Sequence, residues 1–153
     1  MTNLKEQIHT DLTVAIKAKD SLTSGTLRMV LSAITNEEVS GKEARVLDEQ
    51  DMITVLNREA KKRKEAATAY DDAKRPELAD KERAELEIIQ AYLPAALSDE
   101  DLRKIIASAV AEVTASGATG PSAMGAVMKI VSPQVSGRAD GGSVAAAVKS
   151  ALA

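Results

Sequence analysis

The near absence of aromatic residues is the feature of this sequence that most limits its possible folds. The chain has 153 residues, no Phe and no Trp, and only two tyrosines, Tyr70 and Tyr92. Its core must therefore be built from Leu, Ile, Val, Ala and Met, the residues that favour packing of helix against helix. A chain of this length buries roughly 68–70% of its unfolded surface, so it can form such a core without covalent staples.

The spacing of the apolar residues predicts an all-α fold. They recur every three or four positions, and no segment shows the alternation and hairpin signals of a strand. We predict seven helices. Their apolar stripes are Leu4, Ile8, Leu12 and Ile16; Leu27, Val30, Leu31 and Ile34; Met52, Ile53 and Leu56; Leu78, Leu86, Ile89 and Leu93; Leu102, Ile105, Ile106, Ala109, Val110 and Val113; Met124, Val127, Met128 and Val131; and Val144, Ala147, Val148 and Leu152.

Capping residues and prolines predict where the first helices begin and end. Ser24 or Thr26 is expected to cap the second helix, and Asp48 the third. The third helix should run to about Tyr70, and the fourth should follow Pro76 because proline cannot continue a helix. The N-terminal part should contain one long hairpin.

The second half of the chain carries its own boundary signals. Ser98 should open the fifth helix, and Gly117 should close it. Ser122 should open a short sixth helix that Pro133 halts. Asp140, or alternatively Ser143, should cap the last helix.

The composition changes at the sequence Tyr92-Leu93-Pro94, where we place a domain boundary. Residues 1–93 hold most of the charge of both signs, whereas residues 94–153 hold five acids and five bases and are rich in Ala, Gly, Ser and Val. We therefore predict a helical N-terminal domain of about four helices over 1–93. A small three-helix C-terminal domain should follow over 94–153.

The composition also limits the possible functions. The chain has no cysteine and one histidine, His9, so thiolate chemistry is excluded and a histidine metal site is not expected. The net charge of −3 is unusual for a general polyanion binder. The start, MTNLKEQIHTDL, lacks an apolar run, and no stretch approaches a membrane span. These features predict a cytosolic protein with no membrane, metal or cofactor.

A basic run at residues 58–64 is the first candidate site. Arg58, Lys61 and Lys62 could contact phosphates. On a helix, however, the charges of this run spread around the axis, and Glu65 shares the face of Arg58 and Lys62. A solvated helix face is the favoured interpretation, and a nucleic-acid patch is the alternative.

The segment PSAMGAVMKIVSPQVSGRADGG (121–142) is the second candidate site. Gly137 suits a tight turn and Asp140 an N-cap, which accounts for a compact joint between two helices. A turn does not require Arg138, and Lys129 lies nearby in sequence. Together with the start of the last helix, these two cations could accommodate a phosphate. From the residues alone, a structural role ranks slightly ahead of binding.

Four segments of the chain resemble one known family. They are LRMVLSAITNEEV (27–39), NREAKKRKEAATAYDDAKRPELADKERAELEIIQAYLPAALSDEDL (57–102), MGAVMK (124–129) and GRADGG (137–142). In order and spacing they look like the YqeY-like family. The part from about Tyr92 onward is similar to the helical tail domain of the B subunit of the tRNA-dependent amidotransferase, which engages tRNA and carries no chemistry.

The resemblance implies roles for a few residues. Met124 and Gly125 match a Met-Gly-x-x-Met pattern, and Gly137, Asp140 and Gly141 match a Gly-Arg-Ala-Asp-Gly joint. Lys129 and Arg138 are then the positions expected to reach RNA. Arg58, Lys61 and Lys62 remain secondary candidates.

Three functions follow, in order of expectation. The first is a non-catalytic module that interacts with tRNA as an accessory to transamidation or to aminoacyl-tRNA metabolism. The second is a helical adaptor that binds a protein of that metabolism, with Met124 and Met128 as adaptable contacts. The last is a carbon–nitrogen ligase with glutamine as amido donor, an activity that only the family association would imply. No catalytic residue is identified.

Overall fold

The computed structural model describes residues 3–153, and in this range it confirms the all-α fold. The seven helices are α1 Leu4–Lys17, α2 Ser21–Glu38, α3 Glu49–Asp72, α4 Pro76–Gln90, α5 Asp99–Ala115, α6 Gly120–Val135 and α7 Gly141–Leu152. They form two compact units, Met1–Leu93 and Pro94–Ala153. The division falls where the sequence changes composition.

The N-terminal unit contains α1 to α4. Its core has fully buried side chains from all four helices, including Ile8, Leu27, Leu56 and Ile89. Tyr92, just after α4, donates its hydroxyl to the carboxylate of Asp11 on α1 at 2.5 Å. That hydrogen bond ties the end of α4 to the first helix.

The C-terminal unit contains α5 to α7 and has its own core. Ile106, Val127, Val131 and Val148 are at most 2% exposed. Of the buried residues in this core, none carries an aromatic ring. Two short connections join its three helices, so each helix must pack against the others to bury its apolar face.

Two helices of the N-terminal unit end without the glycine that usually marks a helix end. Lys19 and Lys74 take the left-handed conformation, with φ of 57° and 58°. After each lysine, the next amide bonds back to a carbonyl in the last turn, Asp20 to Ala15 and Arg75 to Tyr70. These contacts form the closing motif of a helix C-terminus with lysine in place of glycine.

Several predicted boundaries are confirmed. Asp48 caps α3 by accepting from the amide of Asp51, and Ser98 caps α5 by accepting from the amide of Asp101. Asp140, and not Ser143, caps α7.

The predicted start of α2 is wrong. Asp20 caps this helix through the amide of Thr23, and Ser24 and Thr26 are buried inside it. Their hydroxyls bond carbonyls of the preceding turn, to Ser21 at 3.4 Å and Leu22 at 2.8 Å. Such internal bonding lets a hydroxyl residue sit within a helix without capping it.

The predicted apolar stripe of α1 is wrong at its last member. Ile16 is 47% exposed, and Ala15 is buried instead. A strict repeat of four drifts away from the core because an α-helix has 3.6 residues per turn.

The predicted limits of α6 are also wrong. The helix begins at Gly120 and runs through Pro133 to Val135. Pro133 lacks the amide that would bond the carbonyl of Lys129, and because only two helical residues follow it, the loss does not interrupt the rest of the helix. Val131 and Val135 are buried on either side of it, and this packing holds the helix.

Candidate nucleic-acid interface

The joint between α6 and α7 is a tight turn built on one glycine. Gly137 has φ of 74°, a conformation that residues with a Cβ adopt only at a cost. The amides of Arg138 and Ala139 both bond the carbonyl of Val135, at 2.9 and 3.1 Å. Asp140 then accepts from the amide and hydroxyl of Ser143, at 2.9 and 3.1 Å.

Arg138 has a structural role that its sequence context does not reveal. Its Nε donates to the carbonyl of Ala95 at 3.1 Å, and its own carbonyl accepts from the amide of Leu97 at 2.9 Å. Arg138 therefore holds the segment before α5 against the joint. Its side chain is nevertheless exposed, and it forms no ion pair with any residue in 3–153.

Lys129 lies on α6, six residues before the helix ends, which is about 9 Å along the axis. It is exposed and pairs with no carboxylate in the part of the chain that the structure describes. Gly125, one turn earlier, lies within the helix, and a Cβ added there would meet nothing within 4 Å. Gly141 is the first residue of α7 and is equally open.

Met124 and Met128 are half-buried and pack against the core of the C-terminal unit. The adaptor hypothesis treated them as contacts for a partner. In the structure both methionines contribute instead to the packing of their own unit.

The basic run of α3 is an array of ion pairs. Arg58 pairs with Glu37 of α2 at 3.0 Å, and Lys62 pairs with Glu59 at 2.7 Å. Lys61 is exposed. The sequence showed the alternation of signs along α3, but the partner from α2 lies 21 residues away and depends on tertiary packing.

Arg63 is the buried cation of this run, and it was not singled out from the sequence. Its side chain is 5% exposed. Its Nη1 contacts Glu59 at 2.5 Å, and its Nε lies 3.5 Å from Glu85 of α4. Its Nη2 lies 3.7 Å from the sulfur of Met29 on α2. One buried guanidinium thus joins three helices, and the Glu59–Arg63 spacing of four was its only sequence signal.

Glu59 stays charged within this cluster. Burial raises the pKa of Glu59, but hydrogen bonds from Lys62 and Arg63 outweigh that effect and bring the pKa below its ordinary value of 4.5. Because the carboxylate keeps its charge, the buried Arg63 has a permanent counter-ion.

A groove lies between α2 and α3 beside this cluster. Its volume is about 510 Å³. The residues that line it are Arg28, Met29, Ser32, Ala33, Asn36, Glu37, Ser40, Val55, Arg58, Glu59 and Lys62. It therefore includes two of the predicted RNA-contacting residues, Arg58 and Lys62, together with an apolar floor.

The described part of the chain holds no group of three or more His, Asp or Glu side chains arranged to bind a metal ion. His9 is exposed on α1. None of the helices in residues 3–153 has both the length and the apolar stretch needed to cross a bilayer.

The fold and these sites define a class of all-helical protein with two separate cores and surface cations. A family model described as Yqey-like protein matches residues 5–152, and the chain belongs to this YqeY-like family. The predicted family is confirmed.

Curated relatives come from several yeasts. The chain is 33% identical over 129 residues to "Altered inheritance of mitochondria protein 41, mitochondrial" of Clavispora lusitaniae, which covers 82% of this chain and 72% of that protein. It is 37% identical over 83 residues to the protein of the same name in Vanderwaltozyma polyspora, covering 54% and 44%. The Kluyveromyces lactis protein is 37% identical over 93 residues, covering 59% and 50%. The match thus spans half or less of the last two relatives.

These relatives correct the expected location. A cytosolic protein was predicted from a charged N-terminus without an apolar run, and the names of the relatives place them in mitochondria. The prediction of a cytoplasmic location is therefore wrong. The absence of a secretory pattern excludes only one route of targeting, so it was too weak an argument for the cytosol.

Proposed function

We propose that this chain is a non-catalytic module that binds tRNA through its C-terminal unit. The observation that carries the proposal is the exposure of two cations of that unit, Lys129 and Arg138, without ion pairs in residues 3–153, although Asp140 lies in the same joint and accepts from Ser143. Three of its five acids, Asp99, Glu100 and Asp101, lie in the first turn of α5, where the helix dipole favours them. Lys129 and Arg138 lie on another helix and its joint, exposed and without ion pairs in residues 3–153.

The chemistry of this surface fits a weak contact with phosphate. A guanidinium with free Nη donors binds phosphate in a forked geometry, and an exposed ammonium adds a point charge. The similarity of this unit to an amidotransferase tail that engages tRNA favours tRNA among nucleic acids. With few cations and no stacking aromatics, affinity should be on the scale of non-specific binding, roughly 10⁻⁴–10⁻⁶ M.

The test compares two doubly substituted proteins that lose equal charge. Lys129→Gln with Arg138→Gln removes cations that lack partners, and Arg58→Gln with Lys62→Gln removes cations that are already paired. Each is titrated with a tRNA transcript at two salt concentrations. We expect the first pair to weaken binding about tenfold and to lower the salt slope by about 0.9 for each lost phosphate contact. The second pair should change binding less than about twofold.

Because Arg138 also donates to the carbonyl of Ala95, its substitution can alter the fold, so Lys129→Gln alone is the variant that tests binding without this structural effect. Thermal unfolding is measured for every protein. Equal tRNA titrations for wild type and Lys129→Gln/Arg138→Gln would refute the proposal. Equal loss of tRNA binding in both double variants would show that binding does not depend specifically on the C-terminal unit, and this result would also contradict the proposal.

An amidotransferase activity has no residue here to carry it, and we rank it last. Conversion of misacylated tRNA by the purified chain with glutamine would reverse that order.

A further inference from the structure

The groove between α2 and α3 has apolar residues on its floor. Met29 and Ala33 of α2 and Val55 of α3 line it, of which Met29 is exposed, Ala33 is half-buried and Val55 is buried in the core. Met29 is 53% exposed, whereas Met52, Met124 and Met128 are buried or half-buried. A flexible, polarisable methionine on an open surface is typical of sites that adapt to an apolar side chain of a partner.

Three cations, Arg28, Arg58 and Lys62, line the walls of this groove. Arg28 is exposed and pairs with no carboxylate in residues 3–153. Arg58 and Lys62 are 54% and 61% exposed, and their ion pairs are of the weak surface kind. All three can turn towards an incoming carboxylate.

The buried pair of Glu59 and Arg63 allows Lys62 to leave Glu59 and to pair with a carboxylate of a ligand. Glu59 is bound by the buried Arg63 at 2.5 Å, so it retains a counter-ion when Lys62 leaves it. Among the groove-lining acids, only Glu37 depends on a groove cation, Arg58, as its partner in the described residues. The groove therefore presents more positive than negative charge to an acidic ligand.

We propose that this groove binds an acidic amphipathic helix of a partner protein. An apolar stripe on that helix would contact Met29 and the exposed part of Ala33, and carboxylates beside the stripe would pair with cations of the walls. Two parallel rows of side chains from neighbouring helices are the usual setting for a helix bound in a groove.

The observations favour a peptide over RNA as the occupant. No aromatic side chain lines the groove, so a base has nothing to stack on. The apolar floor would contribute nothing to a phosphate backbone. This inference is independent of the tRNA proposal, because it concerns only residues of the N-terminal unit.

The experiment uses three designed helical peptides of about 18 residues, the length of α2. The first carries leucines at spacings of three and four with glutamates on its remaining positions. The second has lysine for every glutamate, and the third has serine for every leucine. Binding to the full chain is followed by fluorescence polarisation. We expect saturable binding of the first peptide and at least about tenfold weaker binding of the other two, since both stripe and charge contribute.

Variants then locate the peptide. Arg28→Gln removes no ion pair in residues 3–153 and should weaken binding of the first peptide about fivefold. Met29→Ser should weaken this binding at least as much. Lys64→Gln, on the same helix as Arg58 but outside the groove lining, is the control and should change binding less than about twofold. Thermal unfolding checks that each variant is folded.

Three results would overturn the inference. The first peptide could fail to bind, or the leucine-free peptide could bind as well as the first. Arg28→Gln could also weaken the tRNA titration as much as the peptide titration, which would assign the groove to RNA. Loss of tRNA binding only in Lys129→Gln/Arg138→Gln would leave this inference intact.

Discussion

The two units of this protein treat their charges in opposite ways. In the N-terminal unit the conspicuous basic run is largely neutralised, because Arg58, Lys62 and Arg63 all contact carboxylates, two of which come from other helices. In the C-terminal unit cations are few, yet Lys129 and Arg138 are exposed without such partners in the described residues.

This difference shows that the density of basic residues in a sequence is a poor guide to a basic surface. A run of lysines and arginines on a helix meets acids at spacings of three and four and on neighbouring helices. Lys129, on a helix that contains no acidic residue, meets none. Availability, and not number, decides which cations a phosphate or carboxylate can reach.

The largest expected effect tests whether the smaller unit is also the more fragile. Ile106→Ala should unfold much of the C-terminal unit. The core of a 60-residue unit rarely supplies more than about 3–5 kcal/mol of stability, and this substitution removes about 2–5 kcal/mol. Leu56→Ala should cost the N-terminal unit a similar amount and leave it folded. Hydrogen exchange measured helix by helix distinguishes the two. Wild-type protection of α5 to α7 in Ile106→Ala would contradict this expectation.

The next effect tests the buried charges that only the N-terminal unit contains. Arg63→Met should destabilise that unit by about 3–5 kcal/mol at neutral pH, since it leaves Glu85 without its cation and Glu59 with only the exposed Lys62. Denaturant unfolding measures the change. Adding Glu59→Gln and Glu85→Gln should recover part of the loss, and a triple variant as unstable as the single one would argue against the charge mechanism.

The same cluster gives a pH dependence with a definite sign. The pKa of Glu59 is lowered in the folded protein, so its contribution to stability is present above the ordinary value of 4.5 and is lost as pH falls through the folded value. In Arg63→Met the carboxylate loses its buried cation, so acid should relieve the destabilisation. The gap in unfolding free energy between the two proteins should narrow from neutral pH to about pH 4. A gap that stays constant would show that Glu59 is not responsible.

A smaller effect separates two glycines of the C-terminal unit. Gly137→Ala should destabilise this unit by about 1–2 kcal/mol because its φ of 74° disfavours a Cβ. Gly125→Ala, within α6 and with open space around it, should stabilise by about 0.5–1 kcal/mol. Gly25→Ala in α2 is the matched substitution in the other unit and should also stabilise. Thermal melts report all three, and a shift of the same sign for Gly137→Ala and Gly125→Ala would be inconsistent with the turn described here.

The smallest effect concerns the surface ion pairs of the N-terminal unit. A double-mutant cycle on Arg58→Ala and Glu37→Ala should give a coupling energy of about 0–1 kcal/mol. A coupling above about 2 kcal/mol would mean that Arg58 is held too firmly to exchange partners, which would weaken the case for the groove.

Local features of the fold were predictable because their causes are local. Asp48, Ser98 and Asp140 cap helices through amides three residues away, and Gly117 ends α5 in the left-handed conformation. The left-handed conformation of Lys19 and Lys74 was not predictable, since lysine adopts it only when surrounding contacts compensate.

The candidate site was predictable only as a list of residues. Lys129 and Arg138 could be selected from the sequence, but the bond from Arg138 to Ala95 joins positions 43 residues apart. The exposure of Met29, the burial of Met124 and Met128, and the groove itself all depend on how helices pack. No spacing within one helix encodes them.

By itself the sequence determined that this protein is helical, where its main breaks lie and that its cores are aliphatic, since apolar periodicity, caps and composition act over a few residues. Only the tertiary structure decided which cations are neutralised, because a carboxylate from a neighbouring helix is brought within hydrogen-bonding distance by packing of the apolar faces. The charges of Arg58, Arg63 and Arg138 thus acquired their different roles from residues far away in the chain.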